Sequence, residues 1–144
     1  MNGTTPPRVL LVDDSRPMLA ALQRLLTPAF NVVGEARDGT EAVELARAVA
    51  PDVVVLDIMM PRQSGIEAAR QILASGVRTA IVMLTVIDDP VIVAAALQTG
   101  ALGYVLKARA GTDLEPAIRA ALAGQTMLSP GLVTALATAR GPAA

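Results

Sequence analysis

The sequence predicts an α/β fold, a five-stranded parallel sheet with five helices packed on its two faces. Three observations point there. Short β-branched or apolar runs alternate with longer amphipathic stretches, as in a chain of βαβ units. Three of the runs are apolar throughout rather than alternating, as strands covered on both faces should be. Single polar residues stand where the runs end: Asp13-Asp14 after Val9–Val12, Asp57 after Val53–Leu56, Thr85 after Leu84, and Lys107 after Tyr104–Leu106.

The elements follow in order. Strands are predicted at Arg8–Val12, Val32–Glu35, Val53–Leu56, Ala80–Leu84 and Gly103–Leu106. The first helix starts at about Ser15 and puts Met18, Leu22, Leu25 and Leu26 on one stripe. The second starts near Thr40, with Ala42, Val43, Ala46 and Val49 inward and Glu41, Glu44 and Arg47 outward. The third starts near Ser64 and buries Ile66, Ala69, Ile72 and Leu73. The fourth starts at Asp89-Pro90, and the fifth near Thr112, which with Glu115 spells a capping box. Pro116 disfavours helical geometry at Glu115, so an irregular start is expected there. Ser129-Pro130-Gly131-Leu132-Val133 predicts a short sixth helix, and the tail from Arg140 is expected to be disordered.

Composition narrows the function. A chain of 144 residues fits one domain able to bury about two-thirds of its unfolded surface. The core rests on Ala, Val and Leu, with Phe30 and Tyr104 the sole aromatics, which leaves little for base stacking. A net charge of −1 without a basic stripe argues against nucleic-acid binding by this chain itself. There is no cysteine, hence no disulfide or thiolate chemistry. Charged residues interrupt every apolar run before it reaches spanning length, and the first seven residues lack a signal-peptide pattern. A soluble cytoplasmic protein is expected.

The strand-end residues carry the chemistry. In an open parallel sheet, ligands gather at the carboxyl edge. A solitary strand-end Asp is most often a cap or turn residue. Asp13-Asp14 could serve the first helix that way, with Ser15 as a rival. Five such residues on one edge are harder to dismiss, and one of them is the chain's only lysine among 12 basic residues. A small ammonium stands where this sequence otherwise writes the planar fork of Arg. Clustered carboxylates repel one another unless a cation intervenes, and Mg²⁺ is held by a few carboxylate oxygens plus phosphate and water. Asp57 could then attack a phosphoryl group while the metal and Lys107 neutralise its oxygens and Thr85 offers a hydroxyl.

These motifs, in this order, resemble the receiver domain of bacterial two-component response regulators over about residues 8 to 124. Leu11-Val12-Asp13-Asp14-Ser15 resembles its acidic pair, and Leu56-Asp57-Ile58-Met59-Met60-Pro61 through Gly65 its phosphoacceptor segment. Leu84-Thr85 resembles its switch hydroxyl, and Gly103-Tyr104-Val105-Leu106-Lys107 its aromatic-to-lysine motif. Val33-Gly34-Glu35-Ala36 and Leu128-Ser129-Pro130 resemble the NarL/LuxR-type subgroup, whose full-length members add a DNA-binding helix-turn-helix domain.

The resemblance implies strand order 2-1-3-4-5 and a role for each residue. Asp57 accepts phosphoryl from a histidine kinase. Asp14, Asp57 and the Met59 carbonyl bind Mg²⁺, with Asp13 helping directly or through water. Thr85 and Lys107 grip the phosphoryl oxygens, and Tyr104 swings with Thr85 to reshape the face of helix 4, strand 5 and helix 5. A plain alternative for Tyr104 is a side chain snorkelling at the sheet edge.

Some positions depart from the family pattern. Ala108 follows Lys107 where many receivers have Pro, so no cis peptide is expected. Val86 stands where a small residue is usual and narrows access. Met59 and Ile87 cannot orient a water, which predicts slow self-dephosphorylation. The fourth helix is uncharged from Pro90 to Gly100, and Val91 and Ala95 are candidates for a self-association surface.

An aspartyl-phosphate phosphatase would want a second Asp where Met59 stands, and no glycine-rich nucleotide loop exists. A phosphorylation-blind docking module would not need the complete set of acids, hydroxyl and lysine. The organisation expected is a tail at 1–7, a receiver at 8–124, and an extension at 125–144. The ending Arg140-Gly141-Pro142 favours a receiver cut from a longer transcription factor over a stand-alone protein. Its partners would be a sensor histidine kinase and a phosphorylation-dependent second copy, with DNA reached only through the missing domain.

Overall fold

A computed structural model describes residues 5–132. Strands β1 (Arg8–Val12), β2 (Asn31–Ala36), β3 (Val53–Leu56), β4 (Ala80–Thr85) and β5 (Gly103–Leu106) alternate with helices α1 (Arg16–Leu26), α2 (Gly39–Val49), α3 (Gly65–Ala74), α4 (Pro90–Gln98) and α5 (Ala110–Leu122). A further strand, β6 (Met127–Leu128), pairs parallel to β5, and the sheet runs β2-β1-β3-β4-β5-β6. The expected strand order holds within a sheet of six strands rather than five. Two residues are too short for a period-2 pattern, which is why the sequence did not announce β6. Helical geometry resumes over 130–132, and the remainder of the expected sixth helix and the tail from Arg140 lie outside the described residues. Among the described residues no helix is long and apolar enough to cross a membrane.

Strand side chains alternate between two cores, as the period of the pleat requires. Leu10, Val12, Val54, Leu56, Ile81, Met83 and Tyr104 face α2, α3 and α4. Val9, Leu11, Val55, Leu84 and Val105 face α1 and α5. Small Ala residues at the contacts (Ala42, Ala46, Ala68 and Ala69, all fully buried) let the helices lie close on the sheet.

Two helix details differ from expectation. Leu19, Leu22 and Leu26 form the buried stripe of α1, while Leu25 is 40% exposed. Leu19, Leu22 and Leu26 stand at i, i+3 and i+7 on one helix face, and Leu25 lies at its margin. Helix α5 begins at Ala110, behind a 3-10 turn at Lys107–Arg109, so Thr112 lies inside the first helical turn. Its hydroxyl donates to the Arg109 carbonyl, and Glu115 pairs with Arg119, so no capping box forms. Glu115 and Pro116 lie inside the continuous helix, so the irregular geometry expected at Glu115 does not occur there; the irregular turn is Lys107–Arg109, beyond the reach of the proline ring. The Lys107–Ala108 peptide is trans, as expected; among the described residues the cis bond is Thr27–Pro28.

Candidate functional site

The sheet order makes β1 and β3 neighbours while their connections leave toward opposite sides, and this opens a crevice beyond their carboxyl ends. Ladder hydrogen bonding continues one residue past each strand. Asp13 N–H donates to the Ala36 carbonyl and Asp57 N–H to the Val12 carbonyl, both at 3.0 Å, so both backbones are fixed at the crevice. Ser15 settles the capping question: its hydroxyl accepts from Met18 N–H at 3.2 Å. Its own N–H donates to Asp13 Oδ1 at 2.9 Å, which turns Oδ2 toward the crevice.

Asp13, Asp14 and Asp57 each offer one carboxylate oxygen within 4.8 Å of the others. Asp13 and Asp57 are buried, and Asp14 is exposed. Lys107 Nζ reaches over from the end of β5, 2.7 Å from Asp13 Oδ2 and 2.9 Å from Asp57 Oδ2. The ammonium hydrogen-bonds Asp57 Oδ2 and forms the shorter ion pair with Asp13 Oδ2, which is buried. Burial pulls the lysine pKa down, but the two carboxylates outweigh it and hold the ammonium above its ordinary range.

Lys107 thus pairs with two of the three clustered acids. A set of three converging carboxylates, all oxygen donors, suits a hard divalent cation. Asp14 opens this cluster to solvent, beside Arg16, Arg37 and Arg62, which line the same shallow cleft.

The loop after β3 folds tightly over the cluster. Met59 N–H donates to Asp57 Oδ1 at 3.3 Å, and Gly65 N–H donates to the Ile58 carbonyl at 2.8 Å. A Cβ at Gly65 would stand 2.0 Å from the Asp57 carbonyl oxygen, so a side chain there would push the segment after Asp57 away.

Thr85 and Tyr104 end up linked through a residue read only as apolar. Ile87 N–H reaches toward Thr85 Oγ1 at 3.5 Å, and the Tyr104 hydroxyl donates to the Ile87 carbonyl at 2.8 Å. Tyr104 is fully buried, because β6 covers β5 and removes the edge at which it could have snorkelled. Burial first, then Asp57, Asp88 and Asp89, push its phenol well above the usual range, so it stays neutral.

Val86 is 68% exposed at the rim of the site. Val91, at 73%, and half-buried Ala95 lie apart from the acids on α4, whose buried residues are Val93 and Ala96. Sequence reasoning missed the close approach at Gly65, the Ile87 carbonyl, and a buried Asp113–Ser129 pair behind Lys107. Ser129 had appeared only within Leu128-Ser129-Pro130, and nothing in the local pattern tied it to Asp113, sixteen residues upstream.

Comparison with known proteins gives the same picture. The family model described as the response regulator receiver domain matches residues 9–119. The chain is 34% identical over 139 residues to the nitrate/nitrite response regulator protein NarL of Escherichia coli, covering 95% of this chain and 64% of that one. It therefore spans under two thirds of that relative's length. Its structure is similar to a LuxR-family two-component response regulator from Aurantimonas, with a TM-score of 0.89, 35% identity, and 95% and 99% of the two chains covered. It is also similar to RcsB of Salmonella, whose isolated receiver was solved with the phosphomimetic BeF3− (TM-score 0.83, 28% identity, 92% and 99% covered). RcsB dimers have been solved bound to DNA. With its acid cluster, β3–α3 loop, hydroxyl and lysine at one sheet edge, the chain belongs to the response regulator receiver domain family of two-component systems, NarL/LuxR type.

Proposed function

We propose that Asp57 is the phosphoacceptor, taking its phosphoryl group from the phosphohistidine of a sensor histidine kinase. A carboxylate oxygen forms the new P–O bond as the P–N bond breaks, and the imidazole nitrogen keeps the bonding pair. The observation that carries this reading is Lys107 Nζ between buried Asp13 and Asp57, 2.7 Å from one carboxylate and 2.9 Å from the other.

Asp13, Asp14, Asp57 and the Met59 carbonyl would hold Mg²⁺, which supplies positive charge where the phosphoryl oxygens gather. Lys107 neutralises those oxygens as they leave the donor, and the buried Thr85 hydroxyl donates to one of them. The domain thus assists its own phosphorylation without being an enzyme in the ordinary sense. Met59 is largely exposed and Ile87 apolar, so neither aims a water at the acyl phosphate, and self-dephosphorylation is slow.

Recruiting Thr85 toward the phosphoryl group disturbs Ile87, and through its carbonyl the Tyr104 hydroxyl. That biases the face formed by α4, β5 and α5 between two arrangements. Val91 and Ala95 would lie on the surface through which two phosphorylated copies pair. In a longer cytoplasmic protein, the segment after residue 124 would lead to a DNA-binding output domain. The test of the acceptor is incubation with acetyl phosphate, with and without Mg²⁺, followed by intact mass measurement. A gain of one phosphoryl group that needs Mg²⁺ and vanishes in Asp57→Asn is expected; equal labelling of the variant contradicts the reading. For the interface, Val91→Glu should abolish BeF3−-induced dimerisation in sedimentation, and an unchanged dimer would remove Val91 from it.

A further inference from the structure

Lys107 sits at the start of a 3-10 turn, Lys107–Arg109, in which no residue is buried. Its position therefore needs an anchor outside the turn, and one carboxylate on α5 grips both ends. Upstream, Leu106 N–H donates to Ser129 Oγ at 3.1 Å, and the Ser129 hydroxyl donates to Asp113 Oδ2 at 2.9 Å. Downstream, Arg109 donates through Nε to the same Oδ2 at 2.7 Å and through Nη2 to Oδ1 at 3.3 Å. Ser129 is fully buried and Asp113 only 5% exposed. A buried acid with every oxygen engaged is costly to assemble unless the set is complete.

Ser129 itself is fixed by the sheet. Its N–H donates to the Tyr104 carbonyl at 2.9 Å, and Met127 N–H donates to the Leu102 carbonyl at 2.9 Å. Its own carbonyl is taken by Leu132 N–H, and Leu132 is buried in the same core as Tyr104. Ser129 Oγ thus replaces the ladder carbonyl that a longer β6 would have offered to Leu106.

We propose that Asp113 and Ser129 are positioning residues for phosphoryl transfer, holding the turn that aims Lys107 at the Asp13–Asp57 pair. This rests on the role given to Lys107 under the proposed function. The segment after α5 is then part of the phosphorylation machinery as well as an exit from the domain. Misplacing a catalytic group by about 1 Å can cost on the order of a hundredfold in rate, and loosening one anchor should cost less.

The experiment measures acetyl phosphate-driven labelling of the whole 144-residue chain in Mg²⁺, as a function of phosphodonor concentration. Ser129→Ala and Asp113→Asn are expected to lower the maximal rate about tenfold. The half-saturating phosphodonor concentration and the Mg²⁺ affinity by calorimetry should stay within about twofold, because the carboxylates that bind the ion are untouched. Arg109→Gln cuts only the arm whose side chain is 48% exposed, so it should fold normally and transfer roughly threefold slower. In a Lys107→Ala background Ser129→Ala should add no further loss, since both act through one group. Ile118→Val, a core change remote from the turn, supplies a destabilised control. Transfer by Ser129→Ala and Arg109→Gln at the parent's rate, or slowing no greater than in that control, overturns the proposal. So does full additivity with Lys107→Ala. Labelling of the parent that is lost in Asp57→Asn shows that the acceptor reading stands in the same experiment. A parent that takes up no phosphate takes down both.

Discussion

Replacing Lys107 with Met keeps the length of the side chain and removes the cation paired with both Asp13 and Asp57. In the parent, Nζ lies 2.7 Å from Asp13 Oδ2 and 2.9 Å from Asp57 Oδ2, with those side chains 1% and 5% exposed and the lysine 20%. Removing one partner from a buried ion pair typically costs about 3–5 kcal/mol because the other charge is stranded. The lysine's partial exposure favours the lower end, about 3 kcal/mol, or a melting temperature lower by about 10 °C for a domain of this size. The loss should be largest in EDTA. Divalent cation at ten times its dissociation constant returns about 1.4 kcal/mol to whichever state binds it, and the variant should gain more than the parent because no ammonium competes. The pH dependence has a definite sign. The folded lysine pKa lies above its ordinary 10.5, so its contribution is complete below 10.5 and fades only as pH climbs through the raised value. Urea unfolding in EDTA and in Mg²⁺ measures all of this. Equal stability of parent and variant in EDTA, or a larger Mg²⁺ gain in the parent, would refute the reasoning.

Three further outcomes are expected. Met59→Asn places a polar group two residues after the proposed acceptor Asp57, where it can orient water; one well-aligned hydrogen bond of about 1.4 kcal/mol in the transition state would shorten the acyl phosphate lifetime about tenfold. A time course of phosphate loss checks it, and an unchanged lifetime removes Met59 as the cause of slow reset. Tyr104, pushed up by burial and neighbouring acids, should show no tyrosinate absorbance at pH 11 while the chain stays folded, though a free phenol would be mostly ionised there. Early ionisation would mean that the ring leaves the core. Gly65→Ala sets a methyl against the Asp57 carbonyl, where 2.0 Å is available, so stability should fall by about 3 kcal/mol in urea melts and Mg²⁺ binding should weaken.

Much of the fold was legible because β1, β3, β4 and β5 are compact, largely apolar runs with a polar residue at or just past the end. β1, β3 and β5 lie where the runs predicted them, and Asp89 and Ser64 cap the helices they precede. What escaped was set by contacts distant in sequence. β6 has too few residues for a pattern and exists because β5 offers an open edge and Ser129 a buried hydroxyl. Thr112–Glu115 has the letters of a capping box, but the turn gripped by Asp113 starts α5 earlier. For the site, strand ends located Asp13, Asp14, Asp57, Thr85 and Lys107. No pattern could show that the backbone of Ile87 joins Thr85 to Tyr104, because backbone groups leave no trace in residue type.

The most direct measurement asks which oxygen carries the phosphoryl group. Treat the phosphorylated chain with borohydride, which reduces an acyl phosphate to the alcohol, and read the peptide masses. Homoserine at position 57, with unmodified aspartate at 13 and 14, is the predicted result. Reduction at Asp13 or Asp14, or label that borohydride cannot reduce, contradicts a phosphoacceptor at the end of β3.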